Sequence, residues 1–118
     1  MRVAGFGFRA CATTASLRSA LGECAGLAAL ATPEDKAESA VLQALAVEMG
    51  LPIRAIALAQ LARQPTQTLS PAQPPRYGTG SVAEASALAA CGPKARLVTA
   101  RRVSDDGMAT AAIAEGDG

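Results

Sequence analysis

The stretch Arg2-Val3-Ala4-Gly5-Phe6-Gly7-Phe8, a short apolar run that contains two glycines, opens the chain and sets its fold. An apolar run of this length, bounded by turn residues, is typical of a buried strand. The glycines suit a tight turn from a strand into a helix. The stretch therefore predicts a central strand that is followed directly by a helix.

Helices and strands are expected to alternate along the rest of the chain. Apolar residues at spacings of three and four predict the helices, and short apolar runs between turn residues predict the strands. The expected elements are a helix over residues 13–24, a strand over 27–31, a helix from 33 to 50, a strand over 52–58, a short helix over 59–63, a helix over 81–90 and a hairpin of 96–103 with 108–114. The proline-rich residues 64–80 are expected to form a long loop.

The segment Thr32-Pro33-Glu34-Asp35 carries a strong helix-start signal. Threonine is a preferred N-cap, proline suits the first helical position, and acidic side chains are favoured in the first turn. The helix is expected to stop at Gly50, because glycine commonly follows the last helical residue. Lys36 then falls in the first turn, where the helix dipole disfavours a cation. This position indicates a nearby anion, or an interaction with its acidic neighbours such as Glu38.

The order of elements predicts one α/β domain over residues 1–118. Its expected architecture is a mainly parallel sheet with helices on both faces, finished at one edge by a C-terminal antiparallel hairpin around Asp105-Asp106-Gly107. In such sheets, ligands bind beyond the carboxyl ends of the strands. Three loops are expected to meet there, namely residues 5–12, 32–36 and 77–81.

The segment Tyr77-Gly78-Thr79-Gly80-Ser81-Val82-Ala83-Glu84 joins a glycine-containing loop to an apolar helix. Ser81 can cap the helix, and Glu84 stands three residues later, as in a capping box. Gly78 and Gly80 let a ligand come close to the backbone, and the free N–H groups of a helix start suit a phosphate or carboxylate. Capping alone also accounts for Ser81 and Glu84, so both interpretations remain open.

Arg9 and the glycines before it have a similar double interpretation. Gly5-Phe6-Gly7-Phe8-Arg9 resembles a shortened dinucleotide-binding motif, but the third glycine of that motif is absent, which argues against nucleotide binding. Arg9 is either a surface residue or a clamp that binds a carboxylate through its planar guanidinium. The sequence thus predicts an anion-binding face and says little about a reaction.

Composition excludes several classes of function. The formal net charge is +1, and the chain has one Tyr, two Phe and no Trp. It therefore lacks the positive field and the stacking platform of a nucleic-acid-binding protein. No apolar stretch is long and uncharged enough to span a bilayer, and the first residues carry no signal-peptide pattern. A soluble cytoplasmic protein without membrane partners is expected.

The chain has no histidine, and its three cysteines, Cys11, Cys24 and Cys91, are far apart in sequence. Neither a Ser-His-Asp nor a Cys-His arrangement can form, and no CxxC pair indicates zinc or a disulfide framework. No metal and no cofactor are therefore expected. Any chemistry must use a carboxylate, Lys, Arg, a hydroxyl, a thiol or Tyr77.

Three stretches of the sequence together resemble one known family. They are Val3-Ala4-Gly5-Phe6-Gly7-Phe8-Arg9, then Leu30-Ala31-Thr32 with Lys36 and Glu38, then Gly78-Thr79-Gly80-Ser81-Val82-Ala83-Glu84-Ala85 with Ala87-Leu88. In order and spacing they are similar to the CobE/CbiG C-terminal domain family of cobalamin biosynthesis, and the SVAEA segment is the most specific part. Members with an additional N-terminal region open a lactone ring on a cobalt-precorrin. This chain resembles the stand-alone form used with the aerobic pathway.

The resemblance implies a protein that binds a precorrin-type tetrapyrrole intermediate and holds it or hands it to other enzymes of the pathway. Corrin precursors carry many acetate and propionate groups, which suit loops that offer backbone N–H groups, hydroxyls and cations. The residues expected to contact this ligand are Gly5, Gly7, Arg9, Thr32, Lys36, Gly80 and Ser81.

A hydrolase is the alternative function. It would act on a precorrin lactone or side-chain bond, with Glu38 or Glu84 as general base. Binding is favoured because Glu84 is explained by capping and a single Glu38 is typical of a solvated helix surface. A purely structural partner of another biosynthetic enzyme is a third interpretation.

Overall fold

The computed structural model describes residues 1–22, 24, 26–62 and 81–116. Within these ranges, strands and helices largely alternate, as the sequence predicts. They are β1 (Arg2–Phe8), α1 (Thr14–Leu21), β2 (Leu27–Pro33), α2 (Ala40–Met49), β3 (Ile53–Ile56), α3 (Leu58–Ala62), α4 (Val82–Cys91), β4 (Arg96–Val103) and β5 (Ala109–Glu115). None of the helices in these ranges combines the length and the hydrophobicity that crossing a bilayer requires.

The strands form one mixed sheet in the order β3-β2-β1-β5-β4. β1 pairs with β2 in parallel and β2 pairs with β3 in parallel, whereas β5 pairs antiparallel with both β1 and β4. β4 therefore points the same way as β1, and among the described strands only β5 is reversed. The predicted α/β domain with an interior β1 and a C-terminal antiparallel hairpin is confirmed.

Alternate side chains of β1 enter two separate apolar clusters, as expected for a strand that is buried on both sides. Val3 belongs to the first apolar cluster, together with residues of α3 and α4. Phe6 belongs to the second apolar cluster, together with residues of α1 and α2. Alanine is the most frequent member of the first cluster, so α4 must lie close to the sheet to fill this space.

Helix α4 packs directly on Gly5 of β1. A Cβ atom at this position would overlap the carbonyl oxygen of Ala83 and would lie 2.6 Å from the amide nitrogen of Ala87. Both are backbone atoms, which cannot move aside unless the whole helix shifts. Only glycine permits this contact, which sets the distance between α4 and the sheet.

A hydrogen-bonded cluster joins the start of α1 to the β4–β5 hairpin. Thr13 and Ser16 form a reciprocal capping box at the start of α1. The Ser16 hydroxyl also donates to Asp106 Oδ2 at 2.5 Å, and the Ser104 hydroxyl donates to Asp106 Oδ1 at 2.6 Å. With a further bond from the Met108 amide, these contacts lower the pKa of Asp106 to about 2, and the Ser104 bond is the largest cause.

The predicted start of the second helix is wrong. β2 continues through Pro33, and α2 begins only at Ala40. Thr32 and Pro33 pair with β3 instead of opening a helix. Residues 34–38 form turns, in which the Lys36 amide donates to the carbonyl of Pro33 at 2.9 Å. Strand pairing thus overrides the local capping signal, and Lys36 lies in a turn rather than in the first turn of a helix.

The other elements differ from the predictions only at their ends. α1 stops at Leu21, before the predicted Cys24, because Gly22 adopts a positive φ of 69° at the C-cap. β3 is shorter than predicted and spans Ile53–Ile56. α3 begins one residue earlier than predicted, and α4 extends one residue further. The predicted loop over 64–80 lies outside the described residues.

Replacing Gly5 by alanine should destabilise the domain by roughly 3 kcal/mol, because the added methyl group overlaps the backbone of α4. Gly7→Ala is the matched control on the same strand. Its methyl group would meet Thr110 Oγ1 at 3.0 Å, a side-chain atom that can rotate away, and Val82 Cβ at 3.5 Å, an ordinary van der Waals distance. Urea unfolding followed by circular dichroism measures both losses. Equal losses for the two variants would contradict the packing role of Gly5.

Asp106→Asn should remove a pH-dependent contribution to stability. Folding lowers the pKa of Asp106 from 3.8 to about 2, so the charged carboxylate stabilises the native state above the unfolded pKa. This contribution is lost as the pH falls through the folded pKa. The difference in free energy of unfolding between wild type and variant should be constant above about pH 5 and should shrink towards about pH 2.

Urea unfolding at a series of pH values measures this difference. Asp105→Asn is the control, because no hydrogen bond to the Asp105 carboxylate occurs within the described part of the chain. A difference between wild type and Asp106→Asn that does not change with pH would show that the carboxylate has no such role.

Candidate functional site

Four strands end at one side of the sheet, which we call the carboxyl edge. β1, β2 and β3 run in parallel and end there at Phe8, Pro33 and Ile56. β4 ends there too, because Val103 pairs with Thr110 of β5, which in turn pairs with β1 near its end. Ligands of open α/β sheets bind at this side.

Two hydroxyl groups flank the end of β1. The Thr32 hydroxyl donates to the carbonyl of Phe6 at 3.1 Å, just beyond the last β1–β2 pair between Gly5 and Ala31. On the other side of β1, the Thr110 hydroxyl donates to the carbonyl of Gly7 at 3.2 Å. Thr32 is completely buried. Its hydroxyl therefore satisfies a backbone carbonyl where the ladder ends, which accounts for this threonine without a helix cap.

The start of α4 lies next to Gly7. A Cβ atom at Gly7 would be 3.5 Å from Val82 Cβ, which places the first turn of α4 over the end of β1. Ser81 is the N-cap residue, and its hydroxyl accepts a hydrogen bond from the Glu84 amide at 3.3 Å. The predicted cap is thus confirmed. Ser81 is completely buried, and Gly80 lies outside the described residues.

Two predicted cations reach the carboxyl edge. Arg9 directly follows β1, is exposed, and donates its amide to the carbonyl of Met108 at 2.9 Å. Lys36 Nζ lies 5.5 Å from the centre of the Phe8 ring, within the range of a cation–π contact. Neither cation forms an ion pair with any described residue. Both charges are therefore available to an anionic ligand.

The two predicted carboxylates occupy different environments. Glu38 is exposed in the turns that follow β2. Glu84 is completely buried, and its Oε2 accepts a hydrogen bond from the Arg101 amide at 2.8 Å. A general base must reach the proton that it removes. Of the two, Glu38 is the more accessible.

The structure places Gly5 away from any exposed surface. It is buried beneath α4, where the backbone of Ala83 occupies the space above it. Packing therefore accounts for this glycine. Of the residues predicted to contact a ligand, the described structure brings Gly7, Arg9, Thr32, Lys36 and Ser81 to the carboxyl edge.

The end of β4 is a part of this edge that the sequence analysis left out. The predicted hairpin did contain the information. If its second strand pairs antiparallel with β1, its first strand must run parallel to β1. That first strand therefore ends at the same side as β1. Arg101, Arg102 and Val103 lie at this end of β4. Arg101 thus adds a cation that no local motif had indicated.

A separate cavity of about 300 Å³ lies between the C-terminal ends of α1 and α2. These helices lead back to the starts of β2 and β3, so the cavity lies away from the carboxyl edge. Its lining includes Arg18 and Glu48, and Arg18 Nη1 contacts both Glu48 carboxylate oxygens at 2.6 Å. The volume is at the lower limit of small-ligand pockets. Its arginine is already paired, so the cavity suits a polycarboxylate less well than the carboxyl edge.

Comparisons with known proteins agree on one pathway. The family model described as Cobalamin synthesis G C-terminus matches residues 2–114. The crystal structure of CobE, a protein from the cobalamin (vitamin B12) biosynthetic pathway, is 33% identical with a TM-score of 0.81, and the match covers 97% of this chain and 92% of that chain. The cobalamin biosynthesis protein chiG from Agrobacterium tumefaciens is 32% identical with a TM-score of 0.73 over 100% of both chains.

A more distant structure shares the fold alone. A homologue of cobalamin biosynthesis protein G from Sulfolobus solfataricus is 18% identical with a TM-score of 0.68, and the match covers 96% of this chain and 36% of that chain. No curated protein sequence matches the chain. The family model covers nearly the whole chain, and two solved structures exceed 30% identity over almost all of it. The chain therefore belongs to the Cobalamin synthesis G C-terminus family.

Proposed function

We propose that the protein binds a precorrin-type tetrapyrrole intermediate at its carboxyl edge and holds it or hands it to other enzymes of the pathway. The observation that carries this proposal is the pair of cations Arg9 and Lys36, which form no ion pair with any described residue and lie at the edge where α4 begins. The relatives CobE and chiG are named as cobalamin biosynthesis proteins. Intermediates of that pathway are polycarboxylates.

The chemistry of the edge suits reversible binding of such a ligand. A single exposed ion pair contributes only about 0–1 kcal/mol, because water screens it. A ligand with many carboxylates can form several such pairs at once, and each pair breaks easily. The capped start of α4 adds the partial positive charge of a helix N-terminus. A ligand held in this way is retained and can still be passed on.

A hydrolase acting on a precorrin lactone or side-chain bond is the second candidate, and one observation favours it. Glu38 is an exposed carboxylate in the turns between β2 and α2, close in sequence to Lys36. Glu84 is less suited to the role of general base, because it is buried and accepts a hydrogen bond from a backbone amide. Two cations favour the binding of an anion and a single exposed carboxylate favours a reaction, so binding is the better supported function.

We also infer that helices cover both faces of the sheet. Val3 and Phe6 lie three positions apart on β1, and because side chains alternate along a strand, they point to opposite faces. The cluster around Val3 contains residues of α3 and α4, and the cluster around Phe6 contains residues of α1 and α2. A ligand at the carboxyl edge would then meet side chains from both layers of helices.

Arg9→Ala and Lys36→Ala should each weaken tetrapyrrole binding by roughly two- to fivefold, as expected for exposed ion pairs. Uroporphyrin is a suitable probe, because it is stable and carries acetate and propionate side chains. Its fluorescence in a titration with the protein measures the Kd. Added salt should weaken the wild-type complex and should affect the Arg9→Ala/Lys36→Ala double variant less, because salt screens exposed charges.

Arg2→Ala is the matched control, since Arg2 lies at the opposite end of β1 and pairs there with Glu115 at 3.6 Å. The affinity of Arg2→Ala for uroporphyrin should equal that of wild type. Affinities that are unchanged in the Arg9 and Lys36 variants would refute the proposed site. Steady product formation from a precorrin by the isolated protein, abolished by Glu38→Gln, would favour the hydrolase instead.

Ser81→Ala separates capping from ligand binding. Loss of the cap should cost about 1 kcal/mol of stability. If Ser81 also contacts the ligand, the folded variant should lose more affinity for uroporphyrin than its lower stability explains. Ser81→Gly is the control, because glycine at an N-cap costs only a few tenths of a kcal/mol relative to serine. Full affinity in both folded variants would assign Ser81 a purely structural role.

A further inference from the structure

Glu84 of α4 fixes the backbone of Arg101 near the end of β4. The Glu84 carboxylate is completely buried, and its Oε2 accepts a hydrogen bond from the Arg101 amide at 2.8 Å. This bond falls where the pairing of β4 with β5 shifts register, between Thr99 and Arg102. Irregular pairing of this kind re-aims side chains near functional sites. Glu84 thus holds this part of β4 against the first turn of α4.

The Arg101 side chain points to the face of the sheet that carries α4. Its neighbour Arg102 reaches the other face, because a Cβ atom at Gly22 of the α1 C-cap would lie 2.6 Å from Arg102 Nη1. Successive strand residues point to opposite faces. Arg102 pairs with Ala111 of the second apolar cluster, which also places its side chain on the α1 and α2 face.

Arg101 is half-buried, and its guanidinium has no ion pair among the residues that the structure describes. Arg96, at the start of the same strand, contacts Glu115 at 3.7 Å. A cation that is partly removed from water is costly unless an opposite charge accompanies it. The charge of Arg101, at the end of β4 on the carboxyl edge, is therefore open to an anion that a ligand supplies.

We propose that Arg101 binds a carboxylate of the tetrapyrrole, with Glu84 as the residue that positions it. The proposal rests on the proposed function and extends the site to the α4 face of the sheet. The Arg101 guanidinium can form two parallel hydrogen bonds to one carboxylate, which makes it a stronger contact than a lysine.

Lys36 and Arg101, which lie on opposite sides of the proposed site, define which ligands it can select. Lys36 lies over Phe8, which packs against the second apolar cluster, so Lys36 reaches the edge from the α1 and α2 face. Arg101 reaches it from the α4 face. A ligand with carboxylates spread around a broad ring has groups for both cations. A small carboxylate such as acetate would bind one cation weakly and would compete poorly.

Arg101→Ala should raise the Kd for uroporphyrin about tenfold, because a charge-assisted bidentate contact is lost. Arg101→Lys should recover only part of the affinity, since lysine keeps the charge without the planar fork. Arg96→Ala is the matched control on the same strand and should bind as wild type does. Circular dichroism and thermal unfolding verify that each variant is folded.

The outcomes separate this inference from the proposed function. If wild type binds uroporphyrin and Arg101→Ala binds it with the same Kd, the role of Arg101 is refuted and the proposed function stays in place. Equal losses in Arg101→Ala and Arg96→Ala would show a general charge effect and would also refute it. An absence of uroporphyrin binding by wild type, at any salt concentration, would refute the proposed function itself.

The positioning role of Glu84 has its own test. Glu84→Ala should weaken binding only while Arg101 is present, so the Glu84→Ala/Arg101→Ala double variant should bind no worse than Arg101→Ala alone. Glu84→Gln keeps an oxygen that can accept the Arg101 amide and should stay close to wild type. Additive losses in the double variant, or a loss in Glu84→Gln as large as that in Arg101→Ala, would contradict positioning through Arg101.

Discussion

The contact between α4 and Gly5 is the constraint on which the rest of the domain depends. The backbone of Ala83 lies where any side chain at Gly5 would be, so the helix sits as close to the sheet as two backbones allow. The far end of α4 is seated in the same way, because a Cβ atom at Gly116 would be 3.0 Å from Cys91 Cβ. A helix in which half of the residues are alanine needs this short distance to make enough dispersion contacts. Fixed at both ends, α4 brings Ser81 to the end of β1 with little freedom to move.

Two acidic side chains then tie the β4–β5 hairpin to two helices, α4 and α1. Glu84 of α4 accepts from the Arg101 amide of β4, and Asp106 of the hairpin turn accepts from the Ser16 hydroxyl of α1. These two hydrogen bonds hold the hairpin against α4 and α1. Both acidic side chains thus bind groups of the protein itself, whereas the proposed binding residues Arg9 and Lys36 form no ion pair within the described ranges.

The sequence predicted the fold well where the signals were long and periodic, as in β1, α4 and the C-terminal hairpin. The prediction was wrong where a local capping signal competed with pairing to a strand that is distant in sequence. Thr32 and Pro33 have the residue types of a helix start, but hydrogen bonding to β3 keeps them in a strand. The carboxyl edge was predictable because parallel strands must end together. Arg101 was not found, since its position depends on the direction of β4 and on a bond to Glu84 that no sequence spacing encodes.

The order of strands in the sheet has a consequence for synthesis. β5 is the last described element of the chain, yet it lies between β1 and β4 in the interior of the sheet. Until β5 has left the ribosome, β1 has a free edge and β4 has no partner on either side. Unpaired strand edges are the usual templates for aggregation during folding. The nascent domain cannot close its sheet early, and a chain truncated before Ala109 would leave one edge of β1 without a partner strand.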